Sequence, residues 1–293
     1  MKHIFYLGII CIILGISACV EDKALEEIED WKSEYTIPQG GNAAADEIIM
    51  QLHQEYGCYF LYDYTYYDFH YDITQSNYGF VLPDPAHVDE MLDFLDQVWL
   101  QFYPKEFLKK HLPYRVLLAK DLYTVSSSGS ISRGQDIFLG AQTVALGFCS
   151  DTVLTDSRKL TYKRSIHKKF WNYWIEDAEI LDMPEEFFSV SDYTTKPKAA
   201  TVRGAGFVKD DANNREIYAN STTWPSANND ANILKRQMND FWSYLYNMIY
   251  RTEADWAADL EYPLIKQKYD IIVNHFKDKY GLDIAKIGNT PIQ

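Results

Sequence analysis

The chain is poor in cysteine, with four residues among 293 and no Cys-x-x-Cys spacing. That excludes a disulfide-stapled scaffold and argues against a structural zinc ribbon or finger. Basic residues are also short, 28 Lys and Arg against 42 Asp and Glu, for a formal charge of −14. Such a balance argues against a nucleic-acid partner and against lying flat on anionic lipid. Glycine and proline, 14 and 10 residues, are too dispersed to form a linker that divides the chain, and no internal repeat is present. The sequence lacks a Gly-x-Ser-x-Gly elbow, which disfavours an α/β-hydrolase. Gly204-Ala205-Gly206 lacks the third glycine and the strand-to-helix setting of a dinucleotide site. What the chain does have is 47% hydrophobic and 15% aromatic residues, enough for a substantial buried core.

The amino terminus is organised differently from the rest. Met1-Lys2-His3 is a short basic region, Ile4 to Ile16 an apolar run, and Ile16-Ser17-Ala18-Cys19 resembles a bacterial lipobox. The apolar run is too short and wrongly flanked for a membrane-spanning helix, so residues 1–18 are expected to be a lipoprotein signal peptide. Cys19 would then be the lipidated first residue, carrying palmitate-type acyl chains that anchor the chain to the outer membrane. The alternative is a plain secretory signal with a coincidental cysteine. The acidic stretch through residue 41 (Glu21, Asp22, Glu26, Glu27, Glu29, Asp30) reads as a tether, and tethers of this kind accompany display on the cell surface. Residues 42–293 are expected to form one domain. With Cys11 in the signal, Cys58 and Cys149 remain. A bridge between them would contribute roughly 4 kcal/mol in the chain-entropy model, but their aromatic and apolar surroundings favour two buried thiols.

Within the domain, residues 42–56 have helical spacing of apolar residues and end at Gly57. Residues 59–71 read as an aromatic strand. Pro83-Asp84-Pro85 precedes a helix over 86–102 whose inner side is Val88, Met91, Leu92, Leu95, Val98 and Trp99. Residues 114–118 and 137–148 read as buried strands, with a loop at Ser126–Ser130 between them. Helices are expected over 160–175, 232–250 and 264–280. Strands first and helices later indicate an α+β fold. The aromatics Tyr59, Tyr62, Tyr64, Tyr66, Tyr67, Phe69 and Tyr71 would suit sugar stacking, although a strand needs such residues for its core, and core is the better reading.

Arg164-Ser-Ile-His-Lys-Lys-Phe-Trp-Asn-Tyr-Trp174 looks like a zinc-protease helix with its chemistry removed. A working His-Glu-x-x-His helix sets two imidazoles on one face, with the Glu as general base for a metal-bound water. The segment is similar to Arg-Thr-Ile-aromatic/His-His-Glu-Phe-Ala-His of the zinc metallopeptidase lipoproteins associated with outer-membrane substrate import. On that pattern Lys168 replaces the first His, Lys169 the Glu and Asn172 the second His. Moving the register by one offers His167, Lys168 and Trp171, which is no better. Asn239-Asp-Phe-Trp-Ser243 resembles the family's Glu-Asp-Phe-Ala-Glu, placing Ser243 at the third ligand. Gly206-Phe207-Val208, Thr252 to Trp256, Ile265 to Asp270 and Tyr280 to Ile284 extend the resemblance, whereas Asp210 to Trp224 departs from it and looks inserted.

The resemblance implies a zincin-like domain without a metal site, and no metal or cofactor is expected. Lysine ammonium groups repel a divalent cation and a neutral Asn binds zinc poorly. Trp171 and Trp242 stand where the family has Ala, and would fill space left by the ligands. Read without the resemblance, Lys159, Lys163, Arg164, Lys168 and Lys169 are simply the solvated face of a helix. The expected function is a non-catalytic binding or accessory lipoprotein beside outer-membrane nutrient-import proteins, with a peptide or glycan as possible ligand. The alternative is an active hydrolase with ligands drawn from His53, His70, His87, His111, His167 and His275, none of which forms a recognisable metal pair.

Overall fold

The computed structural model describes residues 35–150, 155–219 and 221–292. The signal segment, Cys19 and the acidic residues 21–30 lie outside the described residues. From Ile37 onward the chain is one unit. Gln39 and Gly40, inside the expected tether, already donate their backbone N–H groups to the Asp46 carboxylate. Asn42 then caps α1 (Ala43–Tyr56), its side-chain oxygen accepting from Ala44 and Ala45, and Gly57 ends the helix in the left-handed conformation.

The run expected as one strand over 59–71 is split. β1 (Tyr59–Leu61) stops early, and a short helix α2 (Tyr66–His70) follows. Thr65 Oγ1 accepts from the Asp68 N–H while the Asp68 carboxylate accepts from the Thr65 N–H. This reciprocal capping box satisfies two otherwise unpaired donors and overrides the strand preference of the tyrosines. As a result Tyr59, Tyr62, Tyr64 and Phe69 are core residues, whereas Tyr66, Tyr67 and Tyr71 are 60%, 82% and 67% exposed.

β2 (Tyr78–Val81), α3 (Val88–Val98) and α4 (Lys105–His111) come next. The expected inner residues of α3 are all buried, as is Trp99. β3 (Arg115–Leu118), β4 (Asp121–Val125), β5 (Ile131–Ser132), β6 (Ile137–Leu139) and β7 (Thr143–Leu146) complete the strand-rich half. The expected strand over 137–148 is therefore two antiparallel strands, turning where the Gly140 N–H donates to the Thr143 carbonyl. The main sheet has the order β1-β3-β7-β6, with β1, β3 and β7 parallel. Those three strands are buried along their whole length, as parallel strands covered on both faces should be. A second antiparallel sheet, β2-β4-β5, was not legible as strand in the sequence.

The helical half begins with α5 (Asp156–Asn172), which runs into a π turn over Tyr173–Asp177. It continues with α6 (Glu185–Ser189), the β8 (Lys209–Asp210) and β9 (Arg215–Glu216) hairpin, and α7 (Asp230–Tyr250). Three helices close the chain: α8 (Glu253–Leu260), α9 (Pro263–Tyr280) and α10 (Ala285–Asn289). The architecture is α+β. Cys58 and Cys149 are both buried and free.

The basic residues of α5 do not form a solvated face. Lys163 is 2% exposed, and its Nζ donates to the carbonyls of Ile287 (2.6 Å) and Thr290 (2.7 Å) at the end of α10. The unpaired carbonyls of a helix terminus attract a cation there. Burial, with Arg164 second, brings its pKa down to about 8. Arg164 donates to the Tyr250 carbonyl at 2.7 Å. Lys169 remains exposed.

The closing helix sits hard against α7. A Cβ on Gly288 would lie 2.0 Å from the Arg251 carbonyl oxygen and 2.6 Å from that of Met248. Backbone atoms cannot swing aside, so Gly288→Ala should cost about 1–3 kcal/mol of unfolding free energy. At exposed Gly204 the same Cβ meets an ordinary 3.5 Å contact, and Gly204→Ala should change stability by less than about 0.5 kcal/mol. Urea denaturation of both variants measures the difference, and equal midpoints would refute the close approach.

Candidate functional site

The positions that would hold a metal lie on two packed helices, α5 and α7. Lys168, Lys169 and Asn172 are on α5 and Ser243 is on α7. Asn172, Lys168 and Ser243 are used otherwise, and Lys169 is exposed. Asn172 Oδ1 accepts the Tyr246 hydroxyl at 2.9 Å. Lys168 Nζ stands 4.7 Å from the centroid of the same Tyr246 ring and donates to Asn213 Oδ1 at 3.3 Å. Buried Ser243 donates to the Asn239 carbonyl one turn back in its own helix, at 2.8 Å. Burial lowers the pKa of Lys168, partly opposed by Asp210. Burial likewise raises Tyr246 to about 12, so the phenol stays a donor to Asn172.

Tyr246 thus joins the two helices at these positions, as Arg164 and Tyr250 do nearer the end of α7, and the residue pattern alone does not single it out. Its position was recoverable, since it lies four residues after Trp242 and three after Ser243 on the same helix. Trp242 stacks on it, with centroids 5.3 Å apart. The segment that looked inserted bridges the same helices from above. Asn213 meets Lys168, Arg215 reaches Asn239 at 3.4 Å, and Asn247 binds the Lys209 carbonyl (2.7 Å) and the Asp211 N–H (3.1 Å). Arg251 adds an ion pair to Asp211 at 2.6 Å.

Trp171 is not part of this arrangement. Its ring is fully buried against Phe276 (4.9 Å) and Trp174 (6.2 Å), and no ring contact joins it to Trp242. Its indole N–H donates to Tyr103 Oη at 3.1 Å, and the Tyr103 hydroxyl meets His167 Nδ1 at 2.7 Å. His167 Nε2 lies 2.9 Å from the Val98 carbonyl. A carbonyl only accepts, so Nε2 carries the proton and Nδ1 accepts from Tyr103. Every polar atom in that chain is satisfied. His167 is therefore occupied in the core, its pKa brought down to about 3 by burial first and by Lys163 second.

An ammonium group, an amide and a hydroxyl bonded to its own helix do not fit zinc. Among the described residues no three His, Cys, Asp or Glu side chains are grouped as a metal would require. The other candidate histidines are apart: the His53 ring is tilted against Tyr59 at 4.2 Å, His70 Nδ1 meets the Ile73 carbonyl, His87 lies near Glu90, His111 packs on Phe107 and His275 pairs with Asp182 at 2.9 Å.

Beside this region α7 and α9 are joined by a buried ion pair. Asp240 Oδ2 and Lys268 Nζ are 2.5 Å apart, and both side chains are fully buried. Tyr193 donates to the same carboxylate oxygen at 2.7 Å, and Lys268 also donates to the Gly206 carbonyl at 3.0 Å. The rings of Phe207 and Phe187 stand 4.6 and 4.9 Å from the ammonium. Gly206 has φ +83°, and a Cβ there would lie 2.6 Å from Ser191 Oγ. Burial raises Asp240 and lowers Lys268, with their mutual attraction opposing both.

No protein-family model matches this chain, and no curated protein does. Among solved structures, a chain titled a "putative zinc-binding metallo-peptidase" from Bacteroides caccae is 15% identical. The alignment covers 83% of this chain and 88% of that one, with a TM-score of 0.43. So slight a likeness carries no conclusion about activity.

Two measurements probe these networks. Asp240→Asn and Lys268→Met should each cost about 3–5 kcal/mol, because each leaves a buried charge unpaired. The double variant should cost less than the sum by about 1–3 kcal/mol. Additive losses in urea denaturation would show that the pair is not coupled. For His167, the unfolded chain takes up a proton near pH 6.5 whereas the fold resists it down to about pH 3. Its contribution to stability is therefore complete above pH 6.5 and is lost as pH falls toward 3. The fall of the urea midpoint between pH 7 and pH 4.5 should be shallower in His167→Gln, and an unchanged slope would refute the neutral assignment.

Proposed function

We propose that the protein is a non-catalytic cell-envelope lipoprotein with a zincin-like body, acting as a binding or accessory component beside an outer-membrane nutrient-import system. The observation that carries the loss of catalysis is the Lys168–Tyr246–Asn172 contact. Two positions that would bind zinc are spent on holding α5 to α7, and the β8–β9 hairpin spans both helices at that point. Without a ligand set there is no metal to lower the pKa of a water, and without a carboxylate at Lys169 there is no base to take its proton. The envelope location rests on Cys19 behind its apolar run and ahead of the acidic stretch. Surface display and the import system are read from the resemblance of the sequence motifs.

Purified protein equilibrated with zinc and then desalted should retain no stoichiometric metal and cleave no peptide. Bound zinc or hydrolysis abolished by Asn172→Ala would overturn the reading. Restoring His at 168, Glu at 169, His at 172 and Glu at 243 should still fail to bind zinc while Tyr246 is present. Adding Tyr246→Ala should release the space between the helices, and zinc uptake by the first four changes alone would argue against Tyr246 as the block. For the anchor, labelled palmitate should enter the wild-type chain and not Cys19→Ala; equal labelling of both would remove the lipoprotein assignment.

A further inference from the structure

At the edge where β1, β3 and β7 begin, a cleft of about 400 Å3 opens between the ends of α4 and α5. That volume lies within the roughly 300–1,000 Å3 of small-molecule sites. Tyr56, Tyr114 and Tyr173 supply its aromatic walls, and Lys109, Lys110 and His111 its basic side. In a chain of charge −14 the adjacent cations Lys109 and Lys110 are a local reversal. Neither Lys109 nor Lys110 has a salt bridge among the described residues. Glu55, the nearest acid in sequence to the Tyr56 wall, pairs with Lys105 instead. His111 is half-buried, with its ring 4.7 Å from Phe107. Burial, then Lys110, lowers its pKa, leaving a neutral imidazole that can donate or accept.

An exposed tyrosine, Tyr71, stands beside the cleft. On its rim the Gln142 N–H donates to the Asp72 carboxylate. The preceding Tyr71 is 67% exposed, its ring 4.4 Å from the guanidinium of buried Arg115. Tyr66 and Tyr67 follow on α2, edge to face with centroids 6.0 Å apart. Exposed aromatic rings grouped in this way mark a binding surface more often than chance exposure does. The lining is mixed: the His111 imidazole and the two lysines stand among the rings of Tyr56, Tyr114 and Tyr173, while the Tyr173 hydroxyl is taken up by the Ala141 carbonyl. That suits a hydroxyl-bearing ring better than a purely apolar acid.

We propose that this cleft binds an acidic sugar, a hexuronate unit. Its carboxylate meets Lys109 and Lys110 through charge-assisted hydrogen bonds. Its C–H face lies on the aromatic wall, and its hydroxyls meet His111. A longer acidic glycan continues over Tyr71 toward Tyr66 and Tyr67. The site is separate from the α5–α7 positions and names a ligand class for a binding role without depending on how the zinc question is resolved.

The test is calorimetric titration of the full-length chain in detergent with D-glucuronate, D-glucose and inorganic phosphate. Glucuronate should bind saturably with one-to-one stoichiometry, glucose should not, and phosphate should bind at least about tenfold more weakly than glucuronate. Lys109→Ala with Lys110→Ala should weaken glucuronate about tenfold, and Tyr173→Ala should weaken it as well. Lys277→Ala, an exposed lysine on α9, should leave it unchanged. Circular dichroism establishes that each variant is folded; if the double lysine variant is not, Lys110→Gln alone should still reduce affinity. Absence of glucuronate binding, or binding indifferent to the lysines, overturns the proposal. Phosphate binding as tightly as glucuronate overturns the sugar assignment and leaves a bare anion site.

Discussion

The buried pair of Asp240 and Lys268 is the constraint around which the helical half is arranged. Taking two charges out of water costs several kcal/mol per ion, and attraction between them offsets this only with good geometry and further hydrogen bonds. Those bonds come from the Tyr193 hydroxyl and the Gly206 carbonyl, and the ring faces of Phe187 and Phe207 add cation–π contact to the ammonium. The pair therefore determines where α7 and α9 sit and also where the irregular segment between α6 and α7 must pass. Gly206 can make that approach because it has no side chain to meet Ser191.

This arrangement gives a physical meaning to the motifs that made the sequence resemble metallopeptidases. Gly206-Phe207, Asp240 within 239–243, and Lys268 within 265–270 meet at one buried point. They are scaffold residues. Lys168, Asn172 and Ser243, which the motif resemblance sets opposite metal ligands, form contacts that tie α5 and α7 together or close back on their own helix.

Helix α5 shows how a sparse apolar pattern can still specify a buried element. Its mean character is polar, yet Tyr162, Lys163, Ile166, His167, Phe170 and Trp171 are all buried. Lysine and histidine can occupy the core here because each polar atom finds a partner: Lys163 at the carbonyls ending α10, and His167 between Tyr103 and Val98. Burying such groups is tolerable only when they are fully hydrogen-bonded. That is how Lys163 and His167 lie in the interior within a run that reads as solvated surface.

Much of the fold was legible in the residues themselves. Asn42 and Gly57 bracket α1, the apolar stripe from Val88 to Trp99 defines α3, and the long periodic segments after residue 156 are helices as expected, because capping and 3.6-residue periodicity are local properties. The split of 59–71 was also written locally, in Thr65 and Asp68, but was masked by the strand preference of the tyrosines around it. The absence of zinc-binding residue types at 168, 169, 172 and 243 could be read from the sequence, since ligand chemistry belongs to the side chain. What those residues do instead could not be read. Tyr246 between Lys168 and Asn172, the Lys268–Asp240 pair and the basic cleft at Lys109 and Lys110 each join positions far apart in the chain. Sequence periodicity shows which face of an element turns inward; only the packed structure decides which partner waits there.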